Sequence, residues 1–111
     1  MIFNVPNHIE QIIAGEKTQT RRGSNQYQVG KSYSIQPKRC MKGIKDGRIL
    51  IIEKWREERD ISKILIINID DAIAEGGYSP AEFEALYEKI DPRWEFRIAY
   101  KFKYLPNLME K

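Results

Sequence analysis

The sequence predicts an α+β domain, a small mixed β-barrel with about three short helices packed at its ends or flank. Three observations lead there. Short strand-like runs recur through a chain of 111 residues, and such runs need closure to protect their edges. Asp46-Gly47, set between two such runs, is a two-residue hairpin signal. From Trp94 to Tyr104 aromatic and aliphatic residues alternate with Glu95, Arg97, Ala99, Lys101 and Lys103, the period of a long half-buried strand.

The elements follow in order. Asn7 with Glu10 three residues later forms a capping-box pattern, and Ile9, Ile12 and Ile13 supply an apolar stripe, so a short helix starts the chain. Gly15 is placed to end it in a left-handed turn. Ser32–Gln36 alternates and stops at Pro37, a strand. Cys40–Lys45 and Arg48–Trp55 flank the hairpin turn, and Arg48-Ile49-Leu50-Ile51-Ile52 is apolar enough for a central strand. Ile61–Ile69 is rich in isoleucine and reads as another strand, running into a short helical turn that ends at Gly76-Gly77. Ser79-Pro80-Ala81-Glu82 opens the clearest helix: Ser79 caps, Pro80 suits the first turn and Glu82 completes the box. Phe83, Leu86, Tyr87 and Ile90 form its buried stripe, and Asp91-Pro92 ends it.

Length and composition bound the rest. The chain is expected to be a single domain over 1–111, with its core in about 2–105 and a frayed tail from Pro106. A hydrophobic share of 41% and a charged share of 32% are those of a soluble globular protein. The single Cys40 cannot form an internal disulfide, which favours a reducing compartment, and no signal segment or long apolar run is present. The expected location is therefore the cytoplasm, with no membrane span. No Cys/His cluster predicts a metal site, and no glycine loop of the Walker or dinucleotide type predicts a cofactor. The net charge of +3 hides a division: residues 1–50 carry nine Lys/Arg against three acids, a net +6, whereas the remainder is net −3. A cationic half is the footprint of a polyanion binder as well as of a solvated surface.

The densest chemistry lies in Gly15-Glu16-Lys17-Thr18-Gln19-Thr20-Arg21-Arg22. Three cations, two hydroxyls and an amide stand where a helix stops, poor core material but suited to a phosphate, a nucleotide or a polar carbonyl. With Ile12-Ile13-Ala14 before it, the segment resembles the Gly-x-Lys-x-x-Thr-x-Arg motif of the ASCH family, within the PUA-like β-barrel superfamily. Asp71-Ala72-Ile73-Ala74-Glu75-Gly76 is similar to that family's Asp-Ala-x-x-Glu-Gly. The resemblance spans roughly residues 9 to 104. It implies a PUA-like barrel and binding of RNA or a nucleotide in a cleft that includes the helix-end loop. One bacterial branch deacetylates acetylcytidine, and ribonuclease activity is assigned to other members. Carried over by motif position, the implied catalytic set is Lys17, Thr20 and Glu75.

Two functional readings follow. In the catalytic one, Thr20 attacks an acyl carbon, Lys17 removes its proton and Glu75 shuttles protons. Lys17 must then be partly neutral, and lowering its pKa from about 10.4 to about 7.5 costs roughly 4 kcal/mol. In the binding one, Lys17, Thr18, Arg21 and Arg22 grip a phosphate, Lys38, Arg39, Lys42 and Lys45 extend the track, Glu75 accepts from a base edge, and Tyr78 stacks on an unpaired base. The partner is RNA or a modified nucleoside. A third reading is an adaptor that docks an acidic protein on the basic face. Structural alternatives stay open beside these. Lys17 and Glu75 also suit a plain salt bridge, Thr18 and Thr20 ordinary strand positions, and Lys38–Lys45 a solvated hairpin flank. His8 and Cys40 carry no partner pattern of their own.

Overall fold

The structure, a computed structural model, describes residues 1–3, 5–36, 47–59 and 67–106. Its elements are α1 (His8–Ile13), β1 (Gln19–Arg22), β2 (Ser32–Ser34), β3 (Arg48–Glu58), α2 (Ile69–Gly76), α3 (Pro80–Ile90) and β4 (Phe96–Leu105). The four strands form one antiparallel sheet in the order β1-β4-β3-β2, so the class is α+β as expected. Residues 37–46 and 60–66 lie outside the described residues, and with them the predicted Cys40–Lys45 arm and most of the predicted Ile61–Ile69 strand. Ile69 itself begins α2.

The expected barrel is not closed among the described residues, where the sheet is open. Residues 1–3 add a short parallel rung beside Gln36, with Phe3 N donating to Gln36 O at 2.8 Å. The sheet then curls until this rung approaches β1, and the Arg22 guanidinium lies 4.8 Å over the Phe3 ring. The two edges therefore meet through side chains, and among the described residues no hydrogen-bonded ladder joins them there. A β-bulge between Ile51 and Glu53 supports the curl by adding local twist, leaving Ile52 without a partner and exposed.

Two cores hold the layers. Inside the curl, Phe3, Ile12, Ile35, Ile49, Ile51, Ile98, Tyr100 and Phe102 pack together with Met1. Beneath α2 and α3, Ile67, Ala72, Phe83, Tyr87 and Trp94 form a second cluster. β4 runs between them, so Arg97, Ile98, Ala99 and Tyr100 are all buried, and the in-out alternation survives only from Lys101 onward. The half-buried strand expected from the sequence is thus covered on both faces along its first half.

The helix ends follow local chemistry, with one correction. Ser79 and Glu82 form the reciprocal capping box with Pro80 in the first turn, and Asn68 caps α2 by accepting from Asp71 N at 2.7 Å. Asn7 does not cap α1. Its φ of 72° is left-handed, whereas a capping side chain needs extended backbone to reach the N2 or N3 amide. Gly15 does take the left-handed turn, at φ 81°. Ile13 and Ile90, assigned to apolar stripes, are largely exposed. No helix among the described residues is long and apolar enough to cross a membrane.

Candidate functional site

Past Gly15 the chain is stitched between two elements. Thr18 N donates to Ala74 O of α2, and Phe102 N of β4 donates to Thr18 O. This holds Thr18 as a backbone splice and turns Lys17 inward. Lys17 is almost fully buried. Its ammonium donates to Gln19 O at 2.8 Å, to Glu75 O at 2.6 Å and to Glu75 Oε1 at 3.5 Å. α2 has no basic residue in its last turn. Lys17 supplies from outside the cation that the negative end of that helix dipole favours.

Glu75 Oε2 accepts from Arg21 Nη1 at 2.8 Å. Arg21 in turn gives Nε and Nη2 to Glu57 at 3.0 and 2.9 Å, and Nη2 lies 3.5 Å from Asp71 Oδ2. Its guanidinium stacks 5.5 Å from Trp55 and 5.9 Å from Phe83. Glu57 also accepts from Trp55 Nε1 and from Arg97 Nε, and Arg97 completes the chain with a bidentate pair to Glu84. Charges of alternating sign thus run from Lys17 to Glu84 through the body of the domain, linking β1, β3, β4, α2 and α3. Pairing of this kind offsets the cost of removing these charges from water.

A cavity of about 210 Å³ opens beside this network. It occupies the unclosed seam of the sheet: Ile2, Phe3 and Val5 line one side, and Thr20, Arg21, Arg22 and Gly23 the other. Lys17, Glu75 and His8 reach it from the helical end, while Phe83, Leu86, Tyr87, Ile90 and Asp91 of α3 and its C-terminal cap close it. The three residues singled out as a catalytic set therefore share one cavity.

Arg22 differs from its tandem neighbour. Its Nε donates to Thr20 Oγ1 at 3.1 Å, and among the described residues it makes no ion pair within 4 Å. Arg21 is spent on carboxylates while Arg22 keeps most of its donors for the cavity. Cations and carboxylates in and around the site are nearly matched in number: Lys17, Arg21, Arg22 and Arg97 face Glu57, Asp71, Glu75, Glu84 and Asp91. Such a site suits a neutral polar ligand with flat apolar surface better than a dense anion.

Burial sets the proton affinities. Desolvation lowers the Lys17 pKa to about 8, the attraction of Glu75 opposing the shift and the nearby arginines adding to it. Desolvation also lowers His8 to about 4, helped by Lys17 and Arg22, so its imidazole is neutral at pH 7. For Glu57 burial acts upward, but the hydrogen bonds and charges of Arg21 and Arg97 outweigh it and hold the carboxyl near 2. Burial pushes the Tyr87 phenol up to about 12, which keeps it protonated.

Other residues expected at the site lie elsewhere. Tyr78 does not line the cavity. Its hydroxyl and His8 Nε2 share a 2.7 Å hydrogen bond, and its ring packs on His8 and Phe83. Lys38, Arg39 and Lys42 lie outside the described residues. Sequence reasoning missed Glu57, Glu84, Arg97 and Asp91. Nothing near Glu57 in the chain names its two arginine partners, which are 36 and 40 residues away. No group of three or more His, Cys, Asp or Glu arranged for a metal ion occurs among the described residues.

Comparison with protein-family models, with curated proteins and with solved structures finds no match to this chain.

Proposed function

We propose that the chain is an ASCH-family, PUA-like domain that recognises RNA or a nucleotide by taking a single base into the cavity at the open seam of its sheet. One observation carries the reading. In an apolar-walled cavity of about 210 Å³, Arg22 presents a guanidinium that makes no ion pair within 4 Å among the described residues, next to the Thr20 hydroxyl. A planar base matches both features, because its faces take the apolar walls and its edge takes the guanidinium donors. The near balance of charge favours phosphates outside the cavity over phosphates in it.

Titration of the protein with nucleosides, nucleotides and a short single-stranded RNA, followed by NMR shift changes, tests this. Saturable binding is expected, with shifts at Thr20, Arg22 and Phe3, and Arg22→Ala is expected to weaken it at least about tenfold, the cost of one charged hydrogen-bonding partner. Absence of saturable binding by all of these probes refutes the reading.

A second reading is favoured by the proton affinity of Lys17. With its pKa lowered to about 8, Lys17 is partly neutral just above pH 7, in the cavity that Thr20 also lines. Neutral Lys17 takes the Thr20 proton as the Thr20 oxygen attacks the acyl carbon of an N-acetylated cytidine. The amine leaves with a proton, and water then releases acetate from the Thr20 ester. This base role requires one of the three acceptors now bound by the Lys17 ammonium to turn away, because the lone pair must face the hydroxyl. Release of acetate from acetylcytidine by the wild type, abolished in Thr20→Ala, supports hydrolysis. Equal rates for both proteins and for buffer refute it. Cleavage of RNA by the same site is tested with the same pair of proteins.

A further inference from the structure

The cavity holds polar groups that the fold leaves uncommitted. Lys17, Arg21 and Glu75 are each bound by opposite charges. Asp91 is not. Its backbone ends α3, with N donating to Tyr87 O at 2.9 Å and O accepting from Trp94 N at 3.2 Å, yet its carboxylate has no hydrogen bond or ion pair among the described residues. Oδ2 of Asp91 lies 3.9 Å from where a Cβ on Gly23 would stand, which sets it beside the segment that carries Arg22. Arg22 and Asp91 nonetheless do not meet within 4 Å. The Tyr87 hydroxyl, kept neutral and within the electrostatic reach of Asp91, makes no hydrogen bond among the described residues.

A guanidinium fork and a free carboxylate on one cavity, not satisfying each other, call for a ligand with a two-acceptor edge and a two-donor edge. Among the bases, guanine alone joins them: O6 and N7 accept from an arginine fork, and N1–H with the 2-amino group donates to a carboxylate. Cytosine offers one amino donor, adenine lacks the paired acceptors, and uracil lacks the paired donors.

We infer that the cavity selects an unpaired guanine, with Arg22 reading its O6/N7 edge and Asp91 its N1–H and 2-amino edge. This rests on the nucleotide reading above and adds Asp91 as a specificity-determining residue. Thr20 steadies Arg22 through the 3.1 Å bond to Nε, which leaves the two terminal nitrogens as the reading fork. The guanine comes either from a free nucleotide or from a single strand of RNA, and the cavity chemistry is the same for both.

Calorimetric titration separates the outcomes. The probes are guanosine, inosine, cytidine, uridine, adenosine and guanosine monophosphate, together with the single-stranded pentamer UUGUU and its inosine counterpart. Wild type is expected to bind guanosine at least about tenfold more tightly than inosine, which lacks the 2-amino group, and than the other bases. Asp91→Asn keeps size and the backbone cap but replaces one acceptor by a donor. It is expected to lose about tenfold in guanosine affinity and to erase the guanosine-to-inosine ratio, while circular dichroism and thermal melting stay those of the wild type. Arg22→Lys is expected to weaken both purines and keep their ratio. Preference for guanosine monophosphate over UUGUU identifies a free nucleotide as the source, and the reverse identifies RNA. Saturable binding without guanosine preference, or a guanosine-to-inosine ratio that Asp91→Asn leaves intact, overturns the guanine assignment while base binding stands. No binding of any probe overturns both.

Discussion

Replacing Glu57 by Gln tests whether the buried charge chain holds the domain together. Glu57 accepts four hydrogen bonds, two from Arg21, one from Arg97 and one from Trp55, and its side chain is only 16% exposed. Its pKa falls from 4.5 to about 2. At about 1.36 kcal/mol per unit this is about 3.4 kcal/mol at neutral pH, and partial exposure reduces it to about 2–3 kcal/mol. Because the folded pKa is depressed, the contribution is complete above the unfolded value near 4.5 and is lost as pH falls through 4.5 towards 2. Gln adds a second penalty, since its amide N–H groups must face guanidinium donors and both arginines lose a counter-charge. Loss of one partner of a buried pair costs about 3–5 kcal/mol. Domains of this size hold about 5–15 kcal/mol in all. Glu57→Gln is therefore expected to lose about 3 kcal/mol in urea denaturation at pH 7, a fall of roughly 12 °C or more in Tm, and the gap to wild type is expected to narrow to about half at pH 3. A loss under about 1 kcal/mol at pH 7 with unchanged m, or a gap that does not narrow in acid, refutes the reasoning.

Three further outcomes are expected. Lys17 is a base whose pKa is lowered in the fold, so the unfolded chain binds more protons between pH 8 and 10.5, and wild-type stability should rise across that window relative to Lys17→Met; parallel pH profiles of the two proteins would sink this. For His8, lowered from 6.5 to about 4, an NMR titration of the imidazole should show a midpoint near 4, with its share of stability lost as pH falls from 6.5 to 4; a midpoint near 6.5 contradicts the buried Tyr78 pairing. Gly76→Ala should cost about 1–3 kcal/mol in thermal or urea unfolding, because φ is 150° and an added Cβ lies 2.9 Å from the Tyr78 ring and 3.1 Å from His8 Nε2; wild-type stability in this variant would contradict the packing of α2 on α1.

Local rules read well from the chain because they act over three or four residues. The Ser79–Glu82 box, the left-handed Gly15 and the long β4 were all legible this way. Asn7 failed by the same logic reversed: the pattern was present, but tertiary placement of residues 1–3 along Gln36 fixed a left-handed entry that removes the cap. Barrel closure was inferred from the need to protect edges, yet among the described residues side chains and a cavity fill the seam instead of a ladder. Arg97 read as an outward strand position because alternation cannot show that a helical layer covers the other face of β4.

At the candidate site the chain by itself marked out Lys17, Thr20, Arg21 and Arg22 by their density after a helix end, whereas Glu75 came from the resemblance to the ASCH motifs. It could not divide labour between Arg21 and Arg22. Adjacent residues on a strand point to opposite faces, so although both line the cavity one guanidinium is bound to Glu57 and Glu75 and the other is not. Which face is which depends on carboxylates brought from β3 and α2 across 36 and 54 residues of sequence, a distance over which only the packed fold sets the electrostatics.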